Sequence, residues 1–223
     1  MRRAWPLVLV CAAALPARSD RSVLSTGATT RPGTTYALSM IDIEALTPVD
    51  ATPDLTAIDS LFRDGGGAML NLIAAATDPQ GDVGVAIRAI RTLPAYCANQ
   101  LDPSVSEACA TNSEPHDTLA GVVTTYRDDH SMAGLMKLRS AIEAIGLTRS
   151  SDPNDVALLE PLTQHDSRDI RAAAATALGN VCNTSAQSWL QQRVSQEQSL
   201  QVQASLAIAI RKLQACGLGS DSP

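Results

Sequence analysis

The chain has 223 residues, enough for one domain with a substantial core or for a short stack of repeats. Hydrophobic residues make up 45% of it but aromatic residues only 3%, so the core must be built from Ala, Leu, Ile and Val, which favours closely packed helices over a β-sandwich. The formal net charge of −6 argues against general nucleic-acid binding.

Residues 1–17 have the pattern of an export signal. Two arginines form a basic start, an apolar run over 7–14 follows, and small residues suited to cleavage end the stretch. The run is too short to span a bilayer, so the sequence predicts a periplasmic or extracellular protein. Lipidation at Cys11 is an alternative that would anchor the chain in the bacterial envelope, although Val10 stands where a lipobox has a small residue. A buried first helix is a further alternative.

Residues 18–52 are predicted to form a flexible linker, because Ser, Thr, Arg and Gly dominate there. Within it, the stretch 36–46 is apolar and reads either as a short strand or as a helical turn that docks on the domain. The helical pattern starts at Thr52-Pro53-Asp54, a capping residue followed by proline at the first helical position. It continues to residue 217, and 218–223 are predicted to be a polar tail.

Four helix–turn–helix hairpins are predicted beyond this start, because apolar residues recur at helical spacing on both sides of four polar turns. Residues 98–114 lack this spacing and are predicted to be an inserted loop. Gly146 is predicted to end its helix. The turns lie at 78–82, 128–131, 164–167 and 196–199, and the second helices of the hairpins cover 83–97, 131–147, 168–182 and 199–216.

The second helices recur at a nearly constant distance along the chain. Ile170 and Val202 are 32 residues apart, and Gly146 and Gly179 are 33 residues apart. A constant period of helix pairs in this range is typical of an α-solenoid.

Residues 156–180, VALLEPLTQHDSRDIRAAAATALGN, resemble a HEAT repeat of the short bacterial kind. An aliphatic first helix and an Asp-containing turn precede Ile170-Arg171, Ala173, Ala174 and Leu178-Gly179, which stand at the positions of the family pattern. The likeness extends over about residues 68–216. It implies an all-α fold, a right-handed α-solenoid of about four helix-turn-helix repeats within residues 53–217. It also implies a curved stack that binds protein partners through its concave face.

The resemblance therefore predicts a non-catalytic scaffold or adaptor without a cofactor. An alternative is an accessory subunit of an enzyme, because some short HEAT-like proteins act as lyases or lyase partners on tetrapyrrole proteins. No catalytic or metal site is predicted, since no nucleophile has a base nearby in the sequence. His116 is predicted at a helix start, and His130 and His165 are predicted to be solvated turn residues, with a metal site shared by these two as the alternative.

Export would place four further cysteines in an oxidising compartment, which favours two disulfides. Counting alone allows three pairings, and buried free thiols are an alternative. In a HEAT-like stack, Cys97 and Cys182 occupy equivalent positions two repeats apart, too distant for a bond. The stack therefore implies Cys97–Cys109, which fixes the inserted loop to its helix, and Cys182–Cys216, which joins adjacent repeats.

Charge is unevenly distributed along the chain. The four second helices carry +6, whereas the remainder without residues 1–17 carries −14. In a HEAT-like stack the second helices line the concave face, so we predict a positive groove for an acidic protein partner, with Arg88, Arg91, Lys137 and Arg139 as contact residues. The alternative is that these side chains form half-buried stems and internal ion pairs. Arg171 is predicted to pair locally with Asp166 or Asp169.

Overall fold

Eight α-helices and three short 3-10 helices form the part of the chain that the computed structural model describes, residues 68–97 and 113–219. These residues contain no strand. The 3-10 helices are Leu93–Tyr96, Pro161–Gln164 and Thr184–Ala186. The α-helices are α1 (Ala68–Thr77), α2 (Val83–Thr92), α3 (Glu114–Tyr126), α4 (Met132–Thr148), α5 (Pro153–Leu159), α6 (Arg168–Val181), α7 (Gln187–Gln196) and α8 (Leu200–Gly219).

Several predicted features lie outside the described residues. They are the export signal at 1–17 with Cys11, the linker at 18–52 with its apolar stretch 36–46, and the helix start at 52–54. Most of the predicted inserted loop and the last four residues of the predicted tail lie outside as well.

The described helices form four hairpins arranged in two layers. The second helices α2, α4, α6 and α8 pack side by side in chain order, and each contacts the first helix of its own hairpin. In the other layer, α1 contacts α3, and α3 contacts α5. This arrangement confirms the predicted all-α solenoid of helix-turn-helix repeats.

Side-chain caps begin four of the described α-helices, α2 to α5. Asp82, Ser113 and Ser131 each accept a hydrogen bond from the backbone N–H three residues later, at the starts of α2, α3 and α4. Asp152 accepts one from Asn154 at the start of α5, and proline follows it at the first helical position.

Three helix ends differ from the prediction. The predicted second helix 83–97 stops being α-helical at Thr92, because Pro94 lacks a backbone donor and the chain tightens into a 3-10 turn. Gly146 does not end α4, which continues to Thr148 and closes with Arg149 in the left-handed region at φ 49°. At the other end of the chain, α8 extends to Gly219, into the predicted polar tail.

Gly146 and Gly179 instead allow neighbouring second helices to touch. A Cβ atom on Gly146 would lie 2.9 Å from the Cα of Ala177, and one on Gly179 would lie 2.6 Å from the Cα of Ala209. Each glycine of one second helix thus faces an alanine of the next, across α4–α6 and then across α6–α8. The 33-residue spacing of the glycines is therefore explained by a close backbone contact that recurs in successive repeats.

We expect Gly179→Ala to lower the free energy of unfolding by about 1–3 kcal/mol, because the added methyl group would push against the backbone of α8. Gly121→Ala is the matched control, since this helical glycine is exposed and no atom lies within 4 Å of the added Cβ. The control should be stabilised by about 0.5–1 kcal/mol. Urea unfolding of both variants tests this prediction. An equal change in the free energy of unfolding in the two variants would contradict the close contact between Gly179 and α8.

The central position of α6 explains its alanines. This helix packs between α4 and α8 and also against α5. Its five alanines are all buried, as are the larger side chains of Ile170 and Leu178. Small side chains allow the three second helices to approach closely, and the larger ones add apolar volume to the core.

The disulfide between Cys182 and Cys216 confirms one predicted pairing. It joins the residue after α6 to the last turns of α8, with the two Cα atoms 5.8 Å apart. Cys182 itself lies in the left-handed region, at φ 66°. The predicted Cys97–Cys109 bond lies outside the described residues, because Cys109 is not among them.

Candidate functional site

The outward side of the second-helix layer is the candidate surface for partner binding. On α4 this side carries a stripe of four residues, Met136, Arg139, Glu143 and Leu147. They follow each other at intervals of three or four residues, so they share one side of the helix. Arg91 of α2 joins this stripe by an ion pair. We define the second-helix surface by these residues together with exposed ones on α6 and α8: Arg91, Met136, Arg139, Glu143, Leu147, Thr176 and Ile208.

Positive charge exceeds negative charge at the centre of this surface. The Nε of Arg139 donates to Oε1 of Glu143 at 2.8 Å, and Nη2 of Arg91 lies 3.7 Å from Oε2 of the same carboxylate. The hydrogen bond to Glu143 raises the pKa of Arg139 above its already high ordinary value. Both arginine side chains are 52% exposed. Two exposed guanidinium groups therefore share the carboxylate of Glu143. Asp169 also acts on Arg139, but it is itself paired with Arg168 at 3.7 Å, so these five side chains together keep a net positive charge.

Large apolar side chains are exposed beside these charges. Met136 is 46% exposed and Leu147 is 62% exposed, on either side of the charged pair of α4. Ile208 is exposed on α8. On α6, which packs between α4 and α8, the small residue Thr176 is exposed. The surface thus combines apolar contact area with unbalanced positive charge.

The four predicted contact residues do not all belong to this surface. Arg91 and Arg139 lie on it, and Arg88 is half-buried one turn earlier on α2. Lys137 is only 3% exposed, so the alternative of an internal contact holds for this residue. Its Nζ donates to the backbone oxygen of Asp78 and to the hydroxyl of Tyr126, and lies 5.1 Å from the centre of that ring. Lys137 thereby joins the first two hairpins.

Arg171, which is partly exposed, joins the third and fourth hairpins by an ion pair with the buried Glu197. Its guanidinium donates two hydrogen bonds to the carboxylate of Glu197, at 2.9 and 3.0 Å, and two more to the backbone oxygens of His165 and Asp166. The predicted pairing with an Asp side chain is therefore wrong, although Asp166 takes part through its backbone. The hydrogen bond from Arg171 lowers the pKa of Glu197 below its ordinary value.

A buried pair joins α3 to α5. The Nε2 of His116 lies 3.0 Å from both carboxylate oxygens of Asp155, and the hydroxyl of Ser150 donates to the same carboxylate. His116 lies in the first turn of α3, at the predicted helix start, and its side chain is 7% exposed. Because Asp155 stands between Ser150 and His116, the hydroxyl is bonded to an acid and not to a base, and this group lacks the order of a catalytic triad.

The hydrogen bond with Asp155 is the main reason that the pKa of His116 is raised above its ordinary value. Protonated His116 therefore stabilises the fold at a pH below about 6.5, and this stabilisation is lost as the pH rises through the raised pKa. We expect the difference in unfolding free energy between the native protein and His116→Gln to be larger at about pH 6 than at about pH 9. Urea unfolding at both pH values tests this, and a difference that grows with pH would contradict it.

The two turn histidines meet at one edge of the stack. The ring centres of His130 and His165 are 5.9 Å apart, so corresponding turns of the second and third hairpins lie next to each other. The described residues hold no group of three or more His, Cys, Asp or Glu side chains arranged for a metal ion. Within the same part of the chain, no helix is both long and apolar enough to cross a bilayer.

Comparison with known proteins agrees with this architecture. Residues 137–211 match the family model described as HEAT repeats, a range that extends from α4 to α8 and includes the Arg171–Glu197 pair. A comparison with curated proteins finds no match to the chain.

Proposed function

From the premise that this chain is a HEAT-repeat protein over residues 137–211, we propose that it is an exported, non-catalytic scaffold or adaptor. HEAT repeats generally mediate protein–protein interactions. In this proposal the second-helix surface binds an acidic segment of a partner protein.

The observation that carries the proposal is the composition of the second-helix surface. Exposed apolar side chains next to arginines whose charge is not fully neutralised are typical of protein-binding surfaces. The partner would place acidic groups near Arg91 and Arg139 and apolar groups against Met136 and Leu147. The excess of positive charge on the surface would also speed the approach of an acidic partner.

Export is the second part of the proposal. The signal pattern at 1–17 supports it, and so does the Cys182–Cys216 bond, because disulfides persist mainly in oxidising compartments. Mass spectrometry of the mature N-terminus tests it. A cleaved, unmodified terminus after about residue 17 is expected, whereas a lipidated terminus at Cys11 would indicate an envelope-anchored form, and an intact residue 1 would contradict export.

The binding test uses charge reversal at exposed arginines. Tagged protein is incubated with envelope and secreted extracts, and the proteins it retains are identified and their affinity measured. Arg91→Glu with Arg139→Glu should weaken retention of the specific partner by about tenfold or more, since acidic groups would then face like charges. Arg127→Glu is the matched control, because Arg127 is equally exposed but lies at the end of α3, in the other layer.

The proposal requires that charge reversal at Arg91 and Arg139 weakens partner binding more than charge reversal at Arg127 does. An unchanged affinity in the double variant would overturn the second-helix surface as the binding site, provided that circular dichroism shows a native helix content. An equal loss in Arg127→Glu would show a general effect of net charge and would also overturn it.

A further inference from the structure

The second-helix surface suits a ligand that combines apolar groups with negative charge. Met136 and Leu147 are exposed apolar side chains on α4, and Arg91 and Arg139 beside them contribute to a net positive charge. An exposed apolar area bordered by charged side chains marks a binding site. The chain itself contains a segment of the required composition, which lies outside the described residues.

Residues 36–46, YALSMIDIEAL, combine apolar and acidic side chains. Eight of the eleven residues are hydrophobic, so the segment offers apolar contact area over most of its length. Asp42 and Glu44 give it two negative charges, and it contains no Lys, Arg or His that would neutralise them. The segment therefore complements, in charge and in apolar character, a surface on which two exposed guanidinium groups lie beside exposed apolar side chains.

The chain between this segment and the stack is long enough for the segment to reach the surface. Residues 47–67 separate it from Ala68, where α1 begins, and these 21 residues span up to about 70 Å when fully extended. A path from α1 around the stack to the outward side of α4 is longer than about 20 Å, because helix axes lie about 8–10 Å apart and helices are about 10–12 Å wide. The stretch 53–62 is also apolar and acidic, but the five residues after it reach only about 17 Å. Of the two stretches, 36–46 can therefore lie on the surface.

We propose that residues 36–46 bind to the second-helix surface of their own chain and thereby compete with the partner protein. The competition rests on the function proposed above, whereas the contact itself does not. The acidic side chains of the segment would lie near Arg91 and Arg139, and its apolar side chains near Met136 and Leu147. A weak contact is sufficient, because the connection to the stack holds the segment at an effective concentration on the order of millimolar. The partner then binds only to the fraction of molecules in which the segment has left the surface, which lowers its apparent affinity.

Photo-crosslinking of the protein without any partner tests the contact. Benzoyl-phenylalanine replaces Met136, Leu147 or, as a control, Thr125, an exposed residue of α3 in the other layer. An equal mixture of ¹⁴N-labelled and ¹⁵N-labelled protein is irradiated, and mass spectrometry identifies the crosslinked peptides. We expect crosslinks to residues 36–46 from Met136 and from Leu147, each joining peptides of one isotope, and none from Thr125.

Neutralising the acidic groups of the segment tests the charge complementarity. Asp42→Asn with Glu44→Gln should lower the crosslink yield by about threefold or more at low ionic strength, because two ion pairs at an exposed surface are lost. The same variant should raise the affinity for the protein retained in the binding test by about threefold or more, since the competing segment is weakened. Asp20→Asn with Asp50→Asn is the matched control: it removes two acidic groups outside the segment and should change neither quantity.

Three results would overturn the proposal. The first is the absence of crosslinks to residues 36–46 from Met136 and Leu147, or an equal yield from Thr125. The second is crosslinks that join ¹⁴N to ¹⁵N peptides, which would show that the segment binds a second copy of the chain. The third is a yield or an affinity that the neutral variant leaves unchanged. Because the crosslinks are measured without a partner, they decide the contact of the segment even if the charge-reversal test of the proposed function fails.

Discussion

Replacing Arg171 with methionine should lower the free energy of unfolding by about 1.5–3 kcal/mol, the range for the loss of hydrogen bonds to a charged group, because Arg171 is partly exposed but Glu197 is buried. The side chain of Glu197 is only 3% exposed, so its carboxylate would remain buried with Arg193 at 3.7 Å as the nearest cation. The variant would also lose two hydrogen bonds to the backbone oxygens of the preceding turn. Urea unfolding measures the effect.

Arg168→Met is the matched control for this prediction. Arg168 lies one turn earlier on α6, and its side chain is 69% exposed next to Asp169. Its replacement should change the free energy of unfolding by less than about 0.5 kcal/mol. A loss of under 1 kcal/mol in Arg171→Met would show that the pair with Glu197 does not hold the third and fourth hairpins together.

The Arg171–Glu197 pair should make the stability of the fold depend on pH in the acid range. Because Arg171 lowers the pKa of Glu197, the pair stabilises the fold at a pH above the unfolded-state pKa of about 4.5, and this is lost as the pH falls through the lowered value. The native protein should therefore lose more stability than Arg171→Met between about pH 6 and pH 3. A parallel decline in both proteins would contradict this.

Removing the Cys182–Cys216 bond should lower the free energy of unfolding by about 3–4 kcal/mol. The bond closes a loop with a sequence separation of 34, and it ties the end of α6 to the end of α8. Its loss increases the conformational freedom of the unfolded chain and releases the last helix of the stack. Urea unfolding of Cys182→Ser with Cys216→Ser measures the loss, and amide hydrogen exchange should increase most in α8.

Each single serine variant should be about as destabilised as the double variant, because one substitution already removes the bond. If the double variant stays within about 1 kcal/mol of the native protein, the disulfide does not stabilise the stack. Faster exchange in α1 and α2 instead of α8 would contradict its local effect at the C-terminal end.

The local features of the fold could be predicted from the sequence because they depend on neighbouring residues. Caps such as Asp152, with proline after it, act within one turn of helix. The repeat period depends on the spacing of apolar residues in each hairpin. Gly146 shows the limit of such reasoning, since its position near the end of α4 is typical of a helix end, whereas the contact it makes is with Ala177 in the next hairpin.

The polar contacts of the site could not be predicted, because they join residues that are distant in the sequence. Lys137 bonds to a backbone oxygen 59 residues away, and His116 bonds to Asp155, 39 residues away. Both look like surface residues when only their own helix is considered. The role of Glu197 could not be predicted for the same reason, because its partner Arg171 is 26 residues away.

Site-specific photo-crosslinking of the native complex tests most directly whether the second-helix surface is the binding site. A photoreactive amino acid is placed at Met136, at Leu147 or, as a control, at Leu70 of α1, a partly exposed side chain in the other layer. We predict crosslinks to one acidic partner protein from Met136 and Leu147 and none from Leu70. Crosslinks to that partner from Leu70 alone, or equally from all three positions, would contradict the account.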